Sequence, residues 1–245
     1  MKGVILSINP QARIVDITHE IPPQDVVAAA FTLLAAYQSF PPGTIHVGVV
    51  DPGVGSSRRP ILATAAAQYF VGPDNGIFSY VLEREQEVQI FHLNREKYFR
   101  HPVSATFHGR DVFAPVAATL SNGVLPAKLG RKIADPVSLP TGVPVKSGKS
   151  ALRGCILHID HFGNCITNIT RENVPVDWLS NGIRLKVAGK VIKTLRRCFA
   201  EGNDKPEELF AIWGSAGFLE IAAANRSAAE MLRAKRGEVV LLSTP

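Results

Sequence analysis

Asp51 and Arg58 stand at the two ends of a tight glycine-bearing segment, Asp51-Pro52-Gly53-Val54-Gly55-Ser56-Ser57-Arg58. A guanidinium beside a carboxylate keeps that carboxylate ionised, and an ionised carboxylate can orient an imidazole or a water. A candidate imidazole lies in Phe107-His108-Gly109-Arg110-Asp111, where a helix is expected to begin. Histidine at a helix N-terminus tends to stay neutral and able to accept a proton. Asp51, Arg58 and His108 together could hold and polarise a water as nucleophile. The competing reading is an ion pair that ties down a loop, plus a capping histidine. Spacing alone leaves both open and favours the plainer one.

Two other loops combine glycines with polar groups: Asp160-His161-Phe162-Gly163-Asn164, and Trp213-Gly214-Ser215-Ala216-Gly217, where small residues let a ligand approach backbone. Neither a Gly-x-Gly-x-x-Gly fingerprint nor a P-loop occurs, so no nucleotide-phosphate cradle is expected. Ser56, Ser57 and Ser215 lack the context of a nucleophile elbow. His92, His101, His158 and His161 do not form a metal set, and no metal site is expected. His19 reads as a loop hydrogen bonder and His46 as a core or sheet residue.

The elements that must position these loops follow from periodicity. Gly3–Ser7 and 13–17 read as strands. A helix starts at Asp25 and runs through Tyr37. Ile45–Val50 reads as a buried strand of a parallel sheet, and Asp51 at its carboxyl end sits where open α/β sheets bind ligands. Short strands follow at 61–65 and 69–71, then a turn at Asp74-Asn75-Gly76, a helix at 78–85, a strand at 88–93 and a helix at 112–120. The alternation implies an N-terminal α/β (Rossmann-like) layer domain over 1–134. Residues 135–150 hold Pro136, Pro140 and Pro144 with glycines and serines, and read as a linker. From 151 to 245 the pattern turns strand-rich, at 154–160, 183–187, 190–195, 209–213, 218–222 and 239–243, with one short helix at 227–234. A small C-terminal β-barrel domain fits it.

Among the 245 residues, 46% are hydrophobic and 20% charged, enough for a packed core. No apolar run reaches the ~20 residues of a membrane helix, and residues 1–7 lack a signal peptide's apolar core and cleavage site. Three cysteines without metal spacing read as reduced cytoplasmic thiols. The net charge of +6 raises nucleic acid as a partner, but the basic residues are scattered and not interleaved with aromatics, so none is expected.

Taken together, the motifs resemble the S-adenosylmethionine hydroxide adenosyltransferase family, or SAM hydrolases, relatives of the fluorinase and chlorinase. The runs that carry the resemblance are Met1-Lys2-Gly3-Val4-Ile5, Ile14 to Pro23, Val49 to Gly55, Gly72 to Gly76, Phe107 to Asp111, Ile159 to Asn164 with Thr167-Asn168-Ile169, and Gly214 to Ala222. They span nearly the whole chain. The resemblance implies an α/β domain, a β-barrel domain and a homotrimer, with each site between the N-terminal domain of one subunit and the C-terminal domain of its neighbour. It places a water-activating triad on Asp51, Arg58 and His108. Phe107, Phe162 and Asn164 match positions that hold the adenosine, Phe162 and Asn164 at its base. Asp160 and Ser215 match positions that hold the methionine amine and carboxylate. The backbone at Asn225 matches one that approaches the adenine.

The implied reaction is hydrolysis of S-adenosyl-L-methionine to adenosine and L-methionine, with no cofactor. The fluorinase differs at the positions of Asp51 and His108, has serine at that of Gly109 and arginine at that of Ala216. Those departures favour water over halide and leave the carboxylate contact differently made. Family members also begin some twenty residues earlier, with a strand and a ribose-binding aspartate. Either the start codon is placed too late or this is a shortened form; as it stands, the chain is expected to have a compromised sheet and weaker affinity. The rivals are a non-catalytic adenosine binder, a halogenating enzyme and a nucleic-acid-binding protein.

Overall fold

The computed structural model describes residues 1–140, 142–148, 150–201 and 208–244, with backbone alone at 180 and 181. The chain divides into two compact units, 1–140 and 141–245.

The first unit opens with α1 (Lys2–Ile8) and α2 (Val26–Ala36). The strand expected at 3–7 is thus a helix. Val4 and Ile5 are half-buried while their neighbours are exposed, which fits a helical turn lying against a partner. A short apolar run is compatible with either period. The segment 13–17 has no regular secondary structure and joins no ladder, and Val15 and Ile17 are exposed. α2 begins where its sequence says, because Asp25 Oδ1 accepts a hydrogen bond from the Ala28 amide at 2.9 Å. Phe31, Leu33 and Leu34 on it are buried.

Then come β1 (Ile45–Val47), β2 (Pro60–Ala65), β3 (Gln68–Pro73), α3 (Ser79–Arg84), β4 (Gln89–His92), α4 (Ala114–Ser121), α5 (Pro126–Leu129) and β5 (Arg131–Ile133). The five-stranded sheet has the order β1-β3-β2-β4-β5. Only β1 and β3 run parallel; the other pairs are antiparallel. The expected parallel sheet is therefore a mixed one, because β2 and β3 form a hairpin whose turn residues Ala66 and Ala67 take positive φ. β1 is an edge strand and ends at Val47, three residues before the expected end. His46 is buried, as its alternation in a strand implies, and its Nε2 meets Gln68 Oε1 at 2.8 Å. Leu62, Val71, Phe91, Phe113 and Val116 form the core between this sheet and α4. Each such buried side chain contributes about 1.5–3 kcal/mol by leaving water.

The first part of the expected linker belongs to this unit. Arg59 pairs with Asp74 and Asp135, Asp74 Oδ1 accepts from the Val137 amide, and Ser79 Oγ accepts from the Leu139 amide. Prolines made 135–140 read as a spacer, but buried acceptors hold it down. Residues 141 and 149 of that span lie outside the described residues.

The second unit contains β6 (Val145–Lys146), β7 (Ala151–Ile159), β8 (Cys165–Thr170), α6 (Val176–Asn181), β9 (Arg184–Val187), β10 (Lys190–Ile192), β11 (Leu195–Arg196), β12 (Leu209–Trp213), β13 (Phe218–Ala223), α7 (Ala228–Leu232) and β14 (Val239–Ser243). They make a nine-stranded sheet in the order β10-β9-β14-β7-β8-β13-β12-β11, with β6 on β7. β10 lies near β12, so the sheet curls. The expected strand 190–195 divides into β10 and β11, which pair with different partners. Ile156, Ile169, Leu185, Leu219, Ile221 and Val240 fill the core of the curl.

Candidate functional site

Asp51, Arg58 and His108 meet in the first unit. After β1 the chain continues beside β3, with the Gly48 amide donating to the Val71 carbonyl at 3.1 Å. It then folds into a turn: the Val54 amide donates to the Asp51 carbonyl, and the Ser56 amide and hydroxyl donate to the Gly53 carbonyl. Gly55 has φ +77° and lies so close to residue 105 that a Cβ would come within 2.2 Å of the Ala105 carbonyl oxygen. Only glycine lets the Asp51 turn approach the strand of chain that leads to His108.

The turn returns Arg58 to Asp51. Arg58 Nε donates to Asp51 Oδ1 at 2.9 Å, and Arg58 Nη2 donates to Asp51 Oδ2. The fork is bidentate, and both side chains are buried, 9% and 6% exposed. Arg58 Nη2 also lies 2.9 Å from His108 Nδ1. The guanidinium lies over the Phe113 ring at 5.3 Å, and its Nη1 is buried without a hydrogen-bond partner among the described residues.

His108 caps a π-helical turn, Gly109–Phe113, that runs on into α4. Asp111 anchors this turn. Its carboxylate accepts from the Ser104 amide and from Arg110, and its carbonyl accepts from the Arg100 amide. The hydrogen-bonded Arg110 guanidinium holds the buried Asp111 carboxyl down at about 2. Phe107, beside His108, is about half exposed, with the Arg110 guanidinium over its ring.

The contact to Arg58 determines the imidazole's tautomer. A guanidinium donates only, so Nδ1 must be the unprotonated acceptor and the neutral ring carries its hydrogen on Nε2. Burial, then the Arg58 charge, lower the His108 pKa from 6.5. Protonating Nδ1 would set an N–H against the Arg58 N–H. Turnover is therefore expected to fall about tenfold per pH unit on the acid side of that lowered pKa. Stability has the same sign: the unfolded chain binds this proton more readily, so the contribution is complete above about 6.5 and is lost as pH falls. A pH–rate profile beside thermal melts checks both, with His108→Gln expected to remove the acid limb at much reduced rate.

In the second unit, Asp160, Phe162 and Asn164 share the tight turn between β7 and β8. Asp160 Oδ1 accepts from the amides of Phe162 and Asn164, and Oδ2 accepts from Asn164 Nδ2 at 2.9 Å. Asn164 is buried and spends its amide on Asp160, whereas Phe162 is 76% exposed. Gly163, at φ +82°, packs against Ser227, where a Cβ would lie 2.1 Å from Oγ. Ser215 is exposed in the turn between β12 and β13. Asn225 is exposed beyond the other end of β13, with φ 55°. In the second unit the Asp160 turn meets the segment after β13, through Gly163 and Ser227, while Ser215 lies at the other end of that strand. The residue that motif reading passed over is Glu220, a partly buried carboxyl on β13 whose only signal was its place in the Gly214–Ala222 run.

Comparisons with known proteins agree with this division. Residues 1–130 match the SAM hydroxide adenosyltransferase N-terminal domain, and residues 154–241 match the SAM hydroxide adenosyltransferase C-terminal domain. The chain belongs to the SAM hydroxide adenosyltransferase family. It is 37% identical to an (R)-S-adenosyl-L-methionine hydrolase of Methanocaldococcus jannaschii, over 95% of this chain and 85% of that one. It is also 37% identical to one of Thermus thermophilus, over 99% and 92%. A crystal structure of an uncharacterized conserved protein from Thermotoga maritima superposes with a TM-score of 0.87 at 36% identity, covering 99% of this chain and 93% of that one.

Proposed function

We propose that this protein is an S-adenosyl-L-methionine hydrolase, converting S-adenosyl-L-methionine and water to adenosine and L-methionine. The buried cluster of Asp51, Arg58 and His108, in a chain of this family, carries the reading. The reaction is an in-line displacement at the ribose C5′ carbon. An oxygen–carbon bond forms, the carbon–sulfur bond breaks, and its electron pair returns to sulfur, so methionine leaves as a neutral thioether without help from an acid. One proton is released from the water.

The difficult partner is the nucleophile. Asp51, bound by Arg58 at both oxygens, retains lone pairs with which to accept the proton of a water. His108 presents Nε2–H and donates to the water oxygen, stabilising hydroxide character as it develops. Arg58 holds the two in register, and its unpaired Nη1 adds a donor suited to an anionic oxygen. Hydroxide and sulfonium lose charge as they combine, so a pocket poor in water favours the transition state. The substrate itself brings the activated leaving group, and the scheme uses no metal or cofactor.

In the same reading Phe107, exposed Phe162 and Asn164 hold the adenosine, Asn225 offers backbone to the adenine, and Asp160 and Ser215 hold the amino-acid end. Ser215 and Asn225 flank opposite ends of β13, as an elongated substrate requires. The fold is read as a Rossmann-like α/β layer followed by a β-barrel. A homotrimer would bring the N-terminal unit of one subunit to the C-terminal unit of its neighbour. A cytoplasmic place belongs to the same reading and rests on the three unpaired cysteines; among the described residues no helix is long and apolar enough to cross a membrane. Incubation with S-adenosylmethionine, with and without chloride, followed by chromatography, tests the reading. Adenosine and methionine in both arms support it. A chlorinated nucleoside would indicate a halogenase, and adenosine binding without turnover a non-catalytic binder.

A further inference from the structure

Asp160 cannot satisfy an ammonium group alone. Its carboxylate offers about four lone pairs, and three are already engaged by the Phe162 amide, the Asn164 amide and Asn164 Nδ2. An α-ammonium brings three hydrogens. The second unit places another carboxyl close by. Glu220 sits in the middle of β13, opposite Ile212 of β12 and Ile166 of β8. Its side chain reaches along the sheet to the turn that bears Ser215, where a Cβ on Gly214 would fall 1.7 Å from Oε1. The Gly214 turn thus leaves room for this carboxyl and for nothing larger than hydrogen.

Neither Glu220 nor Asp160 has an ion-pair partner among the described residues. The other charged and titratable groups around these strands and turns are Arg196, opposite Ile212 and paired with Glu208; His158, opposite Ile166; His161, next to Asp160; Arg171, over the Trp213 ring at 4.8 Å; and Arg226, next to the Ser227 that packs on Gly163. Burial, then the Asp160 charge, raise the Glu220 carboxyl to about 7. Two carboxyls without an ion-pair partner among the described residues, one beside the Gly214 turn and one in the turn that precedes β8, the strand next to β13, make a seat for a positive group.

We propose that Glu220 is a specificity-determining residue that, together with Asp160, recognises the substrate's α-ammonium group. The inference rests on the reading that Asp160 takes the amino-acid end of S-adenosylmethionine. It adds that the site selects adenosyl sulfoniums bearing an amine, because one of the two carboxyls must give up its proton to make the seat. Binding is then proton-linked. Below neutrality Glu220 is protonated in the free enzyme and must ionise as the ammonium arrives, so KM rises as pH falls.

The test compares wild type, Glu220→Gln, Glu220→Asp and Asp160→Asn with two substrates: S-adenosylmethionine, and an adenosyl sulfonium analogue with hydrogen in place of the α-amino group. Glu220→Gln should raise KM for S-adenosylmethionine about tenfold or more with kcat little changed, and leave KM for the deamino analogue unmoved. Its KM should lose the rise below pH 7, and Glu220→Asp should restore part of the affinity. Thermal melts confirm that each variant is folded. An unchanged KM in Glu220→Gln, or an equal rise for both substrates, overturns the proposal. If Asp160→Asn alone loses discrimination, the Asp160 assignment stands and the role of Glu220 falls. If neither variant does, the Asp160 assignment itself is wrong.

Discussion

Arg58→Ala is expected to lower turnover of S-adenosylmethionine by about a thousandfold or more. Arg58 supplies every hydrogen bond that joins the triad: two to Asp51 and one to His108. Removing a single preorganised donor from a polar transition state costs about 10²–10³ in rate. Here the loss also frees the imidazole to adopt the other tautomer. The substitution strands Asp51, only 6% exposed, without its counter-charge. Breaking a buried pair in this way costs about 3–5 kcal/mol, so the melting temperature should fall as well. Arg58→Lys keeps the charge but cannot span Asp51 and His108 at once, and should regain stability more than rate. Added guanidinium ion should restore part of the Arg58→Ala turnover. Steady-state kinetics with melting curves for both variants measure these outcomes, and near-normal turnover in Arg58→Ala would remove the triad from the mechanism.

Gly55→Ala should be the most damaging single-methyl addition in the Asp51 turn. The residue has φ +77°, and its new Cβ would meet the Ala105 carbonyl oxygen at 2.2 Å, a backbone atom that cannot swing aside. Left-handed strain costs about 1–3 kcal/mol, and relieving the overlap must push the Asp51 turn away from the segment that carries His108. Thermal melts should show a lower midpoint and kinetics a lower kcat. Gly53→Ala provides the comparison. It has no positive φ, and its Cβ would meet nothing closer than 3.4 Å, on Arg58 and Ser56 side chains, so it should fold and turn over nearly as wild type. Equal behaviour of the two variants would show that the close approach does not hold the site together.

Elements with one dominant local signal were legible. The Asp25 cap and the apolar spacing after it located α2, and β12 and β14 fell where 209–213 and 239–243 were expected. Elements shaped by distant partners were not. The apolar run at 3–7 is too short to reveal its period. β8 was missed because Cys165–Thr170 contains buried polar groups that no pattern announces: Thr167 Oγ1 donates to the Leu219 carbonyl, and Asn168 Oδ1 accepts from the Cys155 amide. Segment 135–140 looked like a spacer because its anchors, Arg59 and Asp74, lie far away in sequence.

The candidate site divides along the same line. Asp51 and Arg58 are seven residues apart and could be paired from spacing. His108 is fifty residues from Arg58, and only the family resemblance, then the Gly55–Ala105 contact, connects it. The expectation that His108 accepts a proton is revised by its geometry: Nδ1 is occupied by Arg58, which leaves the ring a donor. Glu220 had no local signal, because a lone glutamate in a strand normally faces solvent.

β1 stands at an edge of the first sheet, and segment 13–17 joins no ladder. Unpaired strand edges cost stability and invite pairing with other chains. A strand supplied there is where gains in stability should be sought.

In the proposed mechanism Asp51, Arg58 and His108 make water the nucleophile at C5′. Turnover of S-adenosylmethionine in water enriched in oxygen-18, followed by mass spectrometry of the nucleoside, tests this most directly. Adenosine with one heavy oxygen at its 5′ position and L-methionine in equal amount are expected, and Asp51→Ala should form labelled adenosine far more slowly than the wild type. Unlabelled adenosine, or a nucleoside carrying another group at C5′, would contradict it.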